Sequence, residues 1–326
     1  MYKAFFGLTR NPFDLVPDPT CFVSTRRHNE ALAALYYGVR WHKGFIVVTG
    51  EVGTGKTLLL RCLLRLLRAS KDVAYAYLFN SRLAPTEFLQ YIVADFGLPS
   101  AGKNKAELLL ELGQLLIARG AKKLTTVLII DEAHHLSEEI LEEVRLLSNL
   151  ETTDEKLLQI VLVGQPELDE KLDSIDLRQL KQRIALRAHL GSLDADETRE
   201  YIERRLEIAG AELGRKPIFS AEAIAAIFRH SQGLPRLINS ISENALIAAY
   251  ARQLPVVPVE IIDDVARDFR LNVVGSAGKR ANPSDISVQR AARALQDVVA
   301  TMQQPANGMH AGRVIGAEAK KHEPYT

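Results

Sequence analysis

Apolar and polar positions along this chain repeat with two different periods. Phe45-Ile46-Val47-Val48-Thr49 is a short apolar run, partly β-branched and without a polar face, and it predicts a buried strand. The runs 73–79, 125–130 and 157–164 have the same character, and 185–190 predicts a fifth strand. Between them the pattern changes to a helical repeat. The segment 27–41, opened by Ser24 or Thr25, sets Ala31, Leu32, Leu35 and Val39 on one stripe. Helices are also predicted over 58–68, 85–96, 105–119 and 137–149, the last with Ser137 as its N-cap. Short strands alternating with helices predict a parallel sheet covered on both faces. From Asp194 onward only helices are predicted, over 196–209, 220–231, 234–251 and 258–270. The expected layout is therefore an α/β core over 28–193 and an all-helical domain over 194–271. An irregular segment 1–27 precedes the core. A flexible tail 272–326 with one amphipathic helix over 287–302 follows the helical domain.

One connection carries chemistry. Between the first strand and the helix over 58–68 stands Gly50-Glu51-Val52-Gly53-Thr54-Gly55-Lys56-Thr57, then Leu58. That is the phosphate-binding loop pattern in its strand–loop–helix setting. Its glycines let successive backbone N–H groups turn toward phosphate oxygens, and the helix N-terminus adds partial positive charge. Lys56 is expected to reach the β- and γ-phosphates of ATP, and the Thr57 hydroxyl to ligate Mg²⁺.

The third strand ends in Asp131-Glu132. An aspartate there is placed to hold the Mg²⁺ of such a site, and Glu132 to orient the attacking water and accept its proton. Gln165 follows the fourth strand directly; it is either loop polarity before Pro166 or a group reaching between the γ-phosphate and the water. Arg178, Lys181 and Arg183 lie just ahead of the fifth strand. They read either as a solvated face or as a source of a cation acting on another subunit's phosphate, Arg183 first and Arg178 second. Arg236, in Gly233-Leu234-Pro235-Arg236, is a surface arginine or one that reaches back to the phosphates. His28 is a polar helix-start residue or a nucleotide contact. His134 and His135 do not converge as metal ligands, being adjacent. The helicase spelling Asp131-Glu132-Ala133-His134 lacks the second α/β motor domain such enzymes need.

Composition narrows the class. Lys+Arg 41 against Asp+Glu 40 gives no global basic signature, which modestly disfavours nucleic-acid binding. Arg61, Arg65 and Arg68 share a helix face, either as an ordinary solvated surface or as a small basic stripe. Two cysteines, Cys21 and Cys62, are too few for a disulfide framework. No membrane span or signal peptide is read, so the expected localisation is cytoplasmic.

With these residues assembled, the chain resembles the AAA+ ATPases of the ExeA/GspA type, the general secretion pathway protein A family. The resemblance runs through Met1-Tyr2-x-x-Phe5-Phe6-Gly7-Leu8-x-x-x-Pro12-Phe13, Pro17-Asp18-Pro19, His28-Asn29-Glu30-Ala31-Leu32, the phosphate loop and Asp131-Glu132-Ala133. It continues in Asn149-Leu150-Glu151-Thr152, Gly164-Gln165-Pro166-Glu167-Leu168 and Gly233-Leu234-Pro235-Arg236. It covers roughly 1–271. It implies that 1–27 and the His28 region flank the adenine. Gln165 would be sensor 1, Arg183 the arginine finger and Arg236 sensor 2 on a helical lid. Secretion members usually continue into a transmembrane helix and a peptidoglycan-binding domain, and neither is expected here.

The resemblance implies an ATP- and Mg²⁺-dependent ATPase working as a ring or filament of its own copies on a protein partner. A DNA-binding regulator of transposition, resembling the TniB and MuB types, is the alternative. A scaffold that rarely turns over fits poorly with an intact Lys56 and Glu132.

Overall fold

The computed structural model describes residues 2–79, 83–153, 155–212, 217–269 and 271, and the predicted tail with its helix lies outside the described residues. The elements in chain order are α1 (Tyr2–Phe5), α2 (Arg26–Arg40), β1 (Phe45–Gly50), α3 (Lys56–Arg68), β2 (Val73–Leu78) and α4 (Pro85–Asp95). There follow α5 (Lys105–Gly120), β3 (Thr125–Ile130), α6 (Glu138–Leu147), β4 (Gln159–Gly164), α7 (Glu167–Leu172) and α8 (Arg178–Lys181). The remainder is β5 (Ile184–Leu190), α9 (Ala195–Ile208), α10 (Ala221–Ser231), α11 (Pro235–Ala251) and α12 (Val259–Asp268).

All the strands pair in parallel, in the order β2–β3–β4–β1–β5. The three central strands are buried at every position, which is why they read as continuous apolar runs. Their side chains still alternate between two cores. Phe45, Val47, Leu128, Ile130, Ile160 and Leu162 pack with α4, α5 and α6, whereas Ile46, Val48, Val127, Ile129, Val161 and Val163 pack with α2 and α3.

Local signals set the helix ends. Thr25, Ser137, Asp194 and Ser220 each accept a backbone N–H three residues on. β4 starts later than the apolar run suggests. The Leu157 N–H is bonded to the Leu150 carbonyl, in a small hairpin closed between Glu151 and Lys156. α7 and α8 have six and four residues, too short to leave a periodic signature.

The segment 1–27, expected to be irregular, holds α1 and a 3-10 turn at Pro19–Cys21. Phe6, Leu8, Phe13 and Val23 belong to the core of the helical part, with Phe13 edge-on to Phe219 at 6.1 Å. The Tyr2 hydroxyl and Asn11 amide donate to the Glu243 carboxylate, and buried Arg205 donates to the carbonyls of Cys21 and Asp14. Arg61 on α3 donates to the Pro17 carbonyl. The segment therefore straps the helical part to the sheet domain.

Phe13 has no exposed surface. Phe13→Ala should lower unfolding free energy by about 3–5 kcal/mol, read by urea denaturation. A change too small to measure would show that the strap is not part of the helical core.

Candidate active site

The carboxyl ends of parallel strands leave their following loops on one side of a sheet, where ligands of such folds bind. Here the loops after β1, β3 and β4 meet there. Gly53 and Gly55 take φ of +86° and +98°, which side chains with a Cβ rarely adopt. The loop carbonyls are held from three directions. Lys56 Nζ donates to Gly50 O (2.7 Å) and Glu51 O (2.9 Å), and the Thr54 hydroxyl donates to Glu51 O at 2.8 Å. The Arg236 backbone N–H donates to Gly53 O at 3.1 Å.

His28 is the fourth residue to donate to the loop. Its Nε2–H donates to Thr54 O at 2.9 Å, and its Nδ1 accepts the Thr25 hydroxyl at 2.7 Å, a tautomer assigned because a carbonyl can only accept. Burial lowers its pKa, so the ring is neutral. With both nitrogens engaged by the protein, any contact of His28 with a nucleotide is left to its carbon edge.

Asp131 is buried at the end of β3, its carboxylate accepting the Glu132 N–H at 2.9 Å and the Tyr77 hydroxyl at 3.1 Å. Burial raises its pKa, against the pull of those donors and of Lys56. Burial likewise lowers that of Lys56, against Glu132 and Asp131. A buried carboxylate in this setting gains from a nearby cation. Among the described residues no cluster of three or more His, Cys, Asp or Glu could hold a metal alone. The oxygen donors Thr57 and Asp131 suit Mg²⁺, which usually takes one or two protein ligands beside phosphate oxygens and water.

Glu132 stands at φ 53°, ψ 37°, a left-handed conformation that lifts it out of line with the strand. Gln165 begins the loop after β4, and its side-chain nitrogen lies 3.0 Å from His134 Nε2. Tyr77 escaped the sequence reading, and His134 was weighed there only as a metal ligand and within the helicase spelling. Tyr77 was only a strand residue there, although its parallel pairing with Ile129 sets it beside the end of β3. Arg236 is exposed at the start of α11 and is fixed through its backbone; a Cβ on Gly53 would come within 2.8 Å of the Arg236 Cβ.

The arginines ahead of β5 lie elsewhere. Arg183 lines a cavity of about 550 Å³ with Lys43, Gly44, Phe45, Ser148 and Lys156, and donates to the Ser148 hydroxyl at 3.1 Å. Phe45 opens β1 and Gly50 closes it, so this cavity is one strand length, about 17 Å, from the phosphate loop. Arg178 is exposed at the start of α8. In the basic stripe, Arg61 is engaged with Pro17, and Arg68 donates to the Tyr75 hydroxyl.

Residues 39–172 match a family model described as an AAA domain. General secretion pathway protein A of Aeromonas hydrophila is 45% identical over 253 residues, covering 77% of this chain and 45% of that protein. A potential ATP-binding protein of Staphylococcus aureus is 29% identical over 119 residues, 36% of this chain and 41% of that protein. The chain thus spans less than half the length of either relative. Among solved structures, the Aeropyrum pernix ORC2 protein in ADPNP–ADP complexes aligns with a TM-score of 0.58 at 20% identity, over 79% of this chain and 71% of that one. The Thermotoga maritima RuvB Holliday junction branch migration motor aligns with a TM-score of 0.51 at 16% identity, over 81% and 73%. These structural likenesses establish the fold. No helix among the described residues is long and apolar enough to cross a membrane.

Lys56→Ala removes the loop's ammonium and should abolish measurable ATP binding by calorimetry. Unchanged affinity would overturn the assignment of the loop.

Proposed function

The chain carries an AAA ATPase domain of the general secretion pathway protein A type, and on that premise we propose that it binds Mg²⁺–ATP, hydrolyses it as an oligomer, and uses the cycle to assemble or remodel a protein complex. The observation that carries this reading is the meeting of the phosphate loop, Asp131–Glu132 and Gln165 at one edge of the sheet, with the start of α11 bonded to Gly53.

In this reading the loop N–H groups and Lys56 bind the phosphates, and Lys56 exchanges its bonds to Gly50 and Glu51 for phosphate oxygens. Thr57 and Asp131 hold Mg²⁺, which supplies charge neutralisation at the phosphates. Glu132 orients the water and takes its proton, Gln165 fixes the water relative to the γ-phosphate, and Arg236 senses the nucleotide from the helical lid. A cation near the γ-phosphate stabilises the charge that develops there. Arg183 is too far from its own loop for this task, which supports its action on a neighbouring copy. The strap 1–27 is assigned to the lid, with its 3-10 turn against α3.

The test is ATP turnover across a protein concentration series, with and without duplex DNA. Turnover per subunit that rises with concentration and ignores DNA supports the proposal. A DNA-dependent change lost at higher salt would replace it with a DNA-bound regulator of the transposition type.

Glu132→Gln should bind ATP with near-native affinity and lose turnover by about 100-fold or more; near-native turnover would remove Glu132 from its role. Arg183→Ala should be inactive alone and partly rescued by mixing with Glu132→Gln, because a mixed interface pairs an intact Glu132 with an intact Arg183. Absence of rescue at every ratio would refute action in trans.

A further inference from the structure

The turn between β3 and α6 contains a side chain to which the proposed chemistry gives no task. His134 stands between the two groups assigned to the attacking water. Its Nδ1 is 3.4 Å from Glu132 Oε2 and 3.3 Å from the Gln165 backbone nitrogen, and its Nε2 is 3.0 Å from Gln165 Nε2. Glu132 and Gln165 follow different strands, so this ring is a direct bridge between them.

The ring is held in place from behind. Lys171 on α7 donates to the carbonyls of His134 (2.8 Å) and Leu136 (2.7 Å). Ala133 and Leu136 on either side are buried in the core. The His135 ring lies against that of His134, with centroids 4.0 Å apart, and only 7% of the His134 side chain is exposed. Burial, with His135 and Lys56 adding to it against Glu132 and Glu167, pushes its pKa below the ordinary value. A neutral imidazole has one N–H and one lone pair. With the Gln165 amide oriented as it stands, that amide donates to Nε2, and the ring proton on Nδ1 faces Glu132. The other tautomer, with the amide turned over, accepts the Gln165 backbone N–H at Nδ1. In that second form the ring spends both nitrogens on Gln165, so it is the first form that links Gln165 to Glu132.

We propose that His134 is a positioning residue that couples the Glu132 carboxylate to the Gln165 amide, so that the two reach their working geometry together. The inference rests on the ATPase reading above. In metal sites, partners one step removed from the ligands typically contribute about 10- to 100-fold to activity, and the same scale is expected of His134.

The experiment is a double-mutant cycle on the full chain, reading kcat, KM for ATP and nucleotide affinity. His134→Ala should lower kcat about 10-fold or more while affinity and KM stay within about threefold, a split that general loosening of the fold would not give. His134→Gln, whose amide offers both a donor and an acceptor, should recover part of the loss. The double variant of His134→Ala with Gln165→Ala should be no slower than the slower single variant. Native kcat in His134→Ala, deficits that multiply in the double variant, or affinity falling in step with kcat would each overturn the coupling. Should His134→Ala not keep the native melting temperature, His134→Gln and His134→Asn carry the same cycle. The unsubstituted chain and Glu132→Gln separate the two layers: slow Glu132→Gln with native His134→Ala removes only the coupling, whereas absence of ATP turnover in the unsubstituted chain removes the ATPase reading as well.

Discussion

A loop that turns its amides toward an anion must turn its carbonyls the other way, and buried carbonyls need donors. That constraint organises this molecule. Between Gly50 and Thr54, the carbonyls of Gly50, Glu51, Gly53 and Thr54 each receive at least one. The donors come from α3 through Lys56, from α2 through His28, from the loop itself through Thr54, and from the helical part through the Arg236 backbone. The loop is thus a place where α2, α3 and the helical part meet. Its geometry depends on all of them being in position. Gly233 lets the last of these contacts form. It takes φ +71°, and a Cβ there would stand 1.9 Å from the Leu193 carbonyl.

Much of the architecture was legible because each central strand is buried on both faces and each long helix carries one apolar stripe. Apolar runs found the strands β1, β3 and β4, and Ser137 marked the start of α6 through its side chain. The phosphate loop was legible because its chemistry demands a fixed spelling. What stayed hidden has physical reasons. α7 and α8 have too few turns to show a period. The role of His28 lies in a contact to Thr54, 26 residues away, and that of His134 in a contact to Gln165, 31 residues away. A histidine just after an acidic pair has the same spelling whether it binds a metal, faces solvent or bridges two side chains. Only the folded chain separates those cases. Tyr77 is similar: its hydroxyl matters because β2 pairs with β3 in a register that a strand pattern alone does not set.

The left-handed backbone at Glu132 belongs to the same account. A non-glycine residue in that region costs about 1 kcal/mol or more, and the surrounding contacts must hold it there. The Asp131 carboxylate accepts the Glu132 N–H, and Lys171 fixes the next turn by binding two of its carbonyls. α7 therefore reaches the chemistry without donating a group to it.

The strap has a consequence for how the chain is made. Tyr2 is synthesised before its hydroxyl partner Glu243, which follows it 241 residues later. At translation rates of about 5–20 residues per second, Tyr2 waits on the order of ten to fifty seconds for that seat. Phe6 and Phe13 wait similarly for the helices they pack against. The sheet domain can close in the meantime, because its own strands are complete by Leu190. A chain whose helical part is not yet made accordingly displays an aromatic segment beside a closed sheet domain. Burial of that segment against α9, α10 and α11 therefore marks the helical part as folded.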